Sequence, residues 1–422
     1  LSLTRRDFLG AATAATLSLG AKRRHVVVVG AGMAGLACAR RLRQLDFRVT
    51  VFEARDRVGG RVLTFRDAFD DGRYAEAGAE FVAANHLQVR ALLRSLGIGL
   101  IPATRRSADV YRRGRRRPYP AFVTDHVATD IARFQERVTA LRPVPALDAR
   151  SAAWLIRDLK LSDRARFLVN ESVREQYGVE SEYLSLLFLV QLEPVRRLGS
   201  RIRGGADRLP LALARGLDVR LEEPVSHIER RANGVIVDGE DADACVVTVP
   251  VPVLASIEFE PGLPAVLAAA IERLAYGHGV KAALQYERRF WPDSIVADLT
   301  FQSAWGADSR LVTTYATGRN GLLLGSVSRG TRPLLVADEL DEVYPGSRGL
   351  HERGESVAWH LDGWSQGTAV AYAPGQVNSF QAALRRPLGR LHFAGEHTDA
   401  FAGTMEGAVR SGRRAADAIG RG

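Results

Sequence analysis

Cysteine is nearly absent from this chain: Cys38 and Cys245 are the two in 422 residues. One falls in a predicted helix and one in a predicted strand. Two thiols so placed exclude a disulfide framework and a cysteine metal site, and both read as core packing. Lysine is almost as scarce. Lys22, Lys160 and Lys281 stand against 55 arginines in a chain of net charge +10. That bias fits a GC-rich genome better than a nucleic-acid surface, and no nucleic-acid partner is expected. The densest basic run, Arg112 to Arg117, is flanked by Tyr111 and Tyr119 but has no interleaved aromatics. It reads as a solvated hairpin turning at Gly114; the lesser alternative is an anionic partner such as cell-wall polymer or lipid headgroups. No run of about 20 apolar residues occurs, so no ordinary membrane span is expected. With 46% hydrophobic and 25% charged residues, the composition is that of a soluble globular protein long enough for two domains.

Two segments near opposite ends of the chain look built to hold one molecule. The first is His25-Val26-Val27-Val28-Val29-Gly30-Ala31-Gly32-Met33-Ala34-Gly35, followed by Arg48 to Glu53 and then Gly59-Gly60-Arg61. An isolated G-x-G-x-x-G is a weak signal. Here it follows a β-branched run, opens a predicted helix from about Met33 to Leu45, and precedes an acid at the end of the next strand, as a dinucleotide site requires. Gly30 permits the tight turn, Gly32 lets backbone approach a pyrophosphate, and Gly35 lets helix pack on strand. The pyrophosphate then sits at the positive helix end. Glu53 can accept hydrogen bonds from both ribose hydroxyls and argues against a 2′-phosphate, hence against NADP. Asp46, where a glycine is common, tolerates the left-handed conformation that ends such a helix. The second segment is His392-Phe393-Ala394-Gly395-Glu396-His397-Thr398, running into Gly403-Thr404-Met405-Glu406-Gly407-Ala408-Val409.

Gly59-Gly60-Arg61 with Glu53-Ala54-Arg55, and the FAGEHT…MEGAV block, resemble the flavin-containing amine oxidase family of monoamine, polyamine and L-amino-acid oxidases. The segments Arg203 to Pro210, Pro224 to Ile228, Val247 to Pro250 and Tyr276 to Lys281 fall in that family's order. The resemblance spans residues 25 to 420 and is weakest from 100 to 200. It implies an α/β fold: a Rossmann-like FAD-binding domain of the GR2 type with a discontinuous α+β substrate-binding domain. The expected partition is 25–84, 205–286 and 379–422 for FAD, and 85–204 and 287–378 for the substrate or lid domain. Helix-like spacing marks 86–97 and parts of 125–200, as at Leu155, Ile156, Leu159 and Leu161, and at Leu184, Leu187, Phe188 and Leu192. Short strands are expected at Gly234 to Gly239 and Ala244 to Pro250.

The resemblance also implies cofactor contacts. Met33, Ala34 and Gly35 would meet the pyrophosphate of FAD beside Gly30 and Gly32. Glu53, Ala54 and Arg55 would lie on the ribose side, and Gly60 and Arg61 by phosphate. Gly78, Ala79, Glu80 and Phe81 would line the isoalloxazine, and Trp359 matches an aromatic near the ring. The Val225 backbone would hold adenine. Gly395 and Glu396 would hold ribitol or pyrophosphate, and Thr404, Met405 and Ala408 would present a helix start to the flavin. Lys281 matches the family lysine that contacts flavin N5 through a water, and it is the expected catalytic residue. A lysine on an apolar strand is costly unless it has partners or loses its proton, and an arginine could not lose its proton; the plainer alternative is a snorkelling edge-strand lysine. His392 and His397 read as structural or flavin-side residues rather than bases.

Departures from the family pattern restrict the reading. Two aromatics often flank the flavin of monoamine oxidases, and Ala369 and Thr404 stand at those places. A cysteine that links flavin covalently in some members is Thr368 here, so FAD should be non-covalent. The arginine that clamps a substrate carboxylate in many L-amino-acid oxidases would fall near Glu80 and Phe81 and is missing. The expected activity is hydride transfer from an amine or amino acid to flavin, with oxygen reduced to hydrogen peroxide. The alternatives are a flavin dehydrogenase or desaturase acting on a carbon skeleton, and a non-catalytic flavoprotein. A homodimer is left open, and no metal is expected.

Residues 1–24 resemble a twin-arginine signal: Thr4-Arg5-Arg6-Asp7-Phe8-Leu9 leads a mildly apolar stretch, Ala11 to Ala21. Such a segment stays out of the fold argument. It implies the twin-arginine export machinery as a partner and a periplasmic or extracellular destination, reached with the cofactor already bound. Replacing Arg5 and Arg6 by lysines should trap folded, yellow protein in the cytoplasm. Fractionation of cells expressing the variant checks this, and unchanged export would sink it.

Overall fold

The computed structural model of the chain describes residues 23–103, 107–192, 199–306 and 308–422. The twin-arginine-like motif lies outside the described residues. Strand β1 (His25–Val29), helix α1 (Met33–Gln44) and strand β2 (Arg48–Phe52) make the expected β-α-β unit. β1 is buried along its whole length. It sits at the centre of a five-stranded parallel sheet ordered Asp218–Arg220, β2, β1, Ala244–Val247, Leu391–Phe393. Val26 and Val28 join the core that holds α1 and the C-terminal helix Met405–Arg421, while Val27 and Val29 join the core on the other face. A strand covered on both faces gains nothing from polar alternation, which is why the run reads as four valines.

Past α1, Asp46 takes the left-handed conformation at φ 65°. The C-terminal helix then lies against α1 at close range. A Cβ on Gly412 would fall 2.1 Å from the Ala34 carbonyl oxygen, so the missing side chain sets the spacing of the two helices. Cys38 and Cys245 are free and fully buried on opposite elements of this layer.

A second, seven-stranded sheet runs His351–Ala358, Gly279–Tyr286, Leu311–Thr317, Ser303–Gly306, Ser294–Ala297, Ala108–Arg112, Arg115–Pro118. Neighbours are antiparallel except Ser294–Ala297 with Ala108–Arg112. Its last two strands are the arginine-rich hairpin, closed by Arg113 at φ 53° and Gly114 at φ 72°. Part of that charge is engaged within the molecule. Arg112 forks onto Asp163 at 2.8 and 3.0 Å, and the Arg116 guanidinium lies 4.4 Å from the Tyr344 ring centre.

Helices Asp125–Ala140, Ala152–Asp158, Asp163–Tyr177 and Leu186–Leu192 fill the middle of the chain. They bury Leu155, Ile156, Leu187, Phe188 and Leu192, the apolar positions that predicted them. The strands near 234 and 244 are shorter than expected, Val235–Val237 and Ala244–Val247. Three elements pack across the expected partition. Helix Leu87–Ser95 and strand Ser200–Ile202 put Val89, Leu93 and Ile202 into the core of α1. Strand Gly279–Tyr286 belongs to the second sheet. Apolar spacing identifies such elements but does not say which core they join. Among the described residues no helix is long and apolar enough to cross a membrane, and no group of His, Cys, Asp and Glu could hold a metal ion.

Candidate active site

A cavity of about 340 Å³ runs from the end of β1 to the second sheet. Every residue expected at the site lines it except Gly35. Gly35 works from behind: a Cβ there would lie 1.9 Å from the Gly30 carbonyl oxygen, so glycine lets α1 start against the strand end. Gly30 has φ 100°. Gly32 is the N-cap of α1, whose first turn has no capping side chain and no acid. A Cβ on Gly32 would meet nothing within 4 Å. Uncapped amide donors behind an open glycine surface fit a pyrophosphate.

Glu53 is buried at the end of β2. Its Oε2 accepts the Ala31 N–H at 2.7 Å and its Oε1 accepts the Arg55 N–H at 3.0 Å. The carboxylate therefore also shapes the glycine turn, a role the ribose expectation alone did not include. Arg55 pairs with Asp362 and donates to Ser365 Oγ at 2.9 Å. These contacts tie the loop after β2 to the segment carrying Trp359, whose indole N–H donates to the Ala77 carbonyl at 2.8 Å.

Arg61 and Glu396 join the two motifs. Arg61 Nη1 donates to Glu396 Oε1 at 3.0 Å and to the Thr368 carbonyl at 2.8 Å. Glu396 Oε2 accepts the Gly403 N–H at 2.8 Å. His397 beside it is buried, and burial pushes its pKa down to about 4 against the opposing pull of Glu396; a neutral imidazole fits a structural role. Its ring occupies the space that a Cβ on Gly395 would take, 2.4 Å away. Thr404 caps the C-terminal helix by accepting the Gly407 N–H at 3.1 Å, so the helix start faces the cavity with Thr404, Met405 and Ala408.

At the far end stands Lys281, on a strand buried along all eight residues and paired on both sides. It is therefore no edge-strand lysine. Nζ donates to the Gly78 carbonyl at 2.9 Å, to Glu80 Oε2 at 3.1 Å and to the Glu76 carbonyl at 3.5 Å. These partners offset the cost of burying the cation. Glu80 also accepts Arg201 Nε at 2.7 Å and Trp305 Nε1 at 3.0 and 3.1 Å. Burial alone would raise the Glu80 pKa, but the charges of Lys281 and Arg201 hold it below the usual carboxylate range. Glu76, bonded to Thr64 Oγ1 and the Ala206 N–H, is pushed up to about 7, chiefly by burial. Sequence reasoning missed Arg201, Trp305 and Tyr315; the last two line the cavity. They lie on separate short strands with no motif around them, and the scarcity of tryptophan was the one available hint.

A parallel dinucleotide-type sheet, a long cavity reaching a second sheet, and a lysine at its inner end fit an α/β FAD-binding oxidoreductase. The model of the flavin-containing amine oxidoreductase family matches residues 33–420. The Mycobacterium tuberculosis protein AofH, by its name a flavin-containing monoamine oxidase, is 31% identical over 93% of this chain and 95% of its own length. The L-amino-acid oxidase of Mus musculus is 30% identical over 95% of this chain and 71% of its own. Among solved structures, the cyclohexylamine oxidase of Brevibacterium oxydans IH-35A superposes with a TM-score of 0.82 at 24% identity, covering 94% of this chain and 99% of that one. A putrescine oxidase double mutant superposes with a TM-score of 0.84 at 23% identity and the same coverage. The chain belongs to the flavin-containing amine oxidoreductase family, and its cofactor is FAD.

Glu53→Ala should lower FAD retention, because it frees the two turn amides and removes the carboxylate on the ribose side. Each charge-assisted hydrogen bond lost is worth about 1.5–3 kcal/mol. The ratio of flavin to protein absorbance after gel filtration measures this, and a ratio equal to wild type would refute it.

Proposed function

We propose that this protein is an FAD-dependent oxidase of amines that lack a carboxylate beside the reacting carbon. The observation that carries this reading is the pairing of charge. Among the described residues, the three cations that line the cavity are each paired with an acid of this chain: Arg55 with Asp362, Arg61 with Glu396, Lys281 with Glu80. Arg201, on the strand that pairs with Phe81, lies behind the cavity wall, and its Nε is engaged by Glu80.

Bound FAD supplies the hydride acceptor for the C–N carbon and passes the electrons to oxygen, giving hydrogen peroxide. The chain's own part is position and electrostatics. The glycine turn and two helix starts orient the cofactor, Phe81, Trp305 and Tyr315 bound an apolar substrate end, and Lys281 places a fixed cation beside the reacting face. Ala369 and Thr404 leave that face open, which supports a substrate bulkier than a simple monoamine. The amine products are an aldehyde, formed by imine hydrolysis, and ammonia or a smaller amine. Export by the twin-arginine route is part of the same proposal and rests on the Arg5-Arg6 motif.

With Thr368 where a linking cysteine stands in some members, FAD should be held without a covalent bond. Acid precipitation should then release the yellow colour into the supernatant; flavin retained in the pellet would contradict this.

A peroxide-coupled screen of the purified protein should respond to amines or polyamines, with amino acids at least tenfold lower in kcat/KM; the reverse order overturns the substrate reading. Lys281→Met should keep FAD while slowing anaerobic reduction or reoxidation in air, by about 10²–10³ for one preorganised electrostatic contact. Stopped-flow separates the two halves. If both rates stay within a few-fold of wild type, Lys281 is a packing residue.

A further inference from the structure

Glu80 is the most heavily engaged carboxylate at the site. Its side chain is 3% exposed, and it collects Lys281, Arg201 and the Trp305 indole. The partners come from different elements. Glu80 precedes strand Phe81–Val82, which pairs with Arg201's strand in a three-stranded sheet. Lys281 and Trp305 belong to the seven-stranded sheet. The rings interlock with the cations: Lys281 Nζ lies 5.1 Å from the Trp305 ring centre, the Arg201 guanidinium 5.5 Å from that of Phe81, and the two rings 6.0 Å from each other. One carboxylate thus serves two cations across two sheets. Glu76, whose pKa burial pushes up to about 7, is the other carboxyl group facing this cluster.

We propose that Glu80 is the positioning residue for Lys281, fixing its ammonium group toward the flavin cavity, and that Arg201 sets how much of the Glu80 charge Lys281 receives. The proposal rests on the oxidase reading only for the role of Lys281 in turnover; the ion-pair geometry stands without it. Its physical content is competition. Removing Glu80's charge frees the ammonium, whereas removing Arg201 gives Lys281 the whole carboxylate and tightens the bond. A residue that merely props up the loop would not give opposite effects.

Three lysines in the whole chain make this directly observable. Holoprotein labelled with ¹⁵N-lysine should show the Lys281 ammonium as a slowly exchanging signal, distinct from Lys160. Glu80→Gln should accelerate its hydrogen exchange several-fold with Lys160 unchanged, and Arg201→Met should slow it. Exchange within twofold of wild type in Glu80→Gln, or unchanged or faster exchange in Arg201→Met, overturns the proposal. Should Glu80→Gln fail to fold, Arg201→Met decides alone by its sign. Turnover adds an independent arm: the combined loss in the Glu80→Gln, Lys281→Met double variant should be smaller than the sum of the two single losses, and fully additive losses count against the assignment. Absence of turnover with every amine would defeat the oxidase reading while leaving the exchange result intact.

Discussion

The ion pair between Arg61 and Glu396 holds the site together. Its partners are 335 residues apart in sequence, and the same guanidinium nitrogen also reaches the Thr368 carbonyl. One arginine therefore fixes three segments, each of which supplies a different wall of the cavity. It adds a polar tie between the N-terminal and C-terminal motifs to the direct packing of α1 on the C-terminal helix. Glu53 does the same work locally by holding the turn at Ala31 and Arg55. The cavity is thus framed by acids that accept from backbone and from arginine before any ligand is considered. Preorganisation of this kind lets binding proceed without reordering the chain.

The charge at the far end follows another logic. Lys281 lies inside a sheet, where a solitary cation would be expelled or neutralised. Two backbone carbonyls and Glu80 hold it instead. The backbone acceptors belong to the Glu76 to Gly78 stretch, and Gly78 itself lies so close to Arg61 that a Cβ would come within 2.0 Å of its carbonyl oxygen. The lysine and the arginine–glutamate pair are therefore linked through one short stretch of backbone. Disturbing either end should be felt at the other.

The β-α-β unit was legible because three signals coincide there: a buried valine run, glycines at turn spacing, and an acid closing the second strand. Lys281 was legible for a compositional reason, as a lysine in a chain that almost always uses arginine. The arginine hairpin was legible because Gly114 marks its turn. Arg201 and Trp305 were not, since their importance comes from meeting Glu80 in space across more than 100 residues of sequence. The packing of Leu87–Ser95 was hidden for a related reason. Its apolar face predicts burial, but the partner core is assembled from α1 and the C-terminal helix, which local sequence does not name.

The sparing use of sulfur has a consequence for an enzyme that releases hydrogen peroxide. Oxidation by peroxide begins at a thiolate. Both thiols here are fully buried, and burial pushes their pKa strongly upward, so that they stay protonated. The two methionines, Met33 and Met405, are also buried, but both line the cavity at the two helix starts. The thiols thus offer the protein's own product little to attack, and self-inflicted sulfur damage in the presence of substrate should fall on Met33 and Met405.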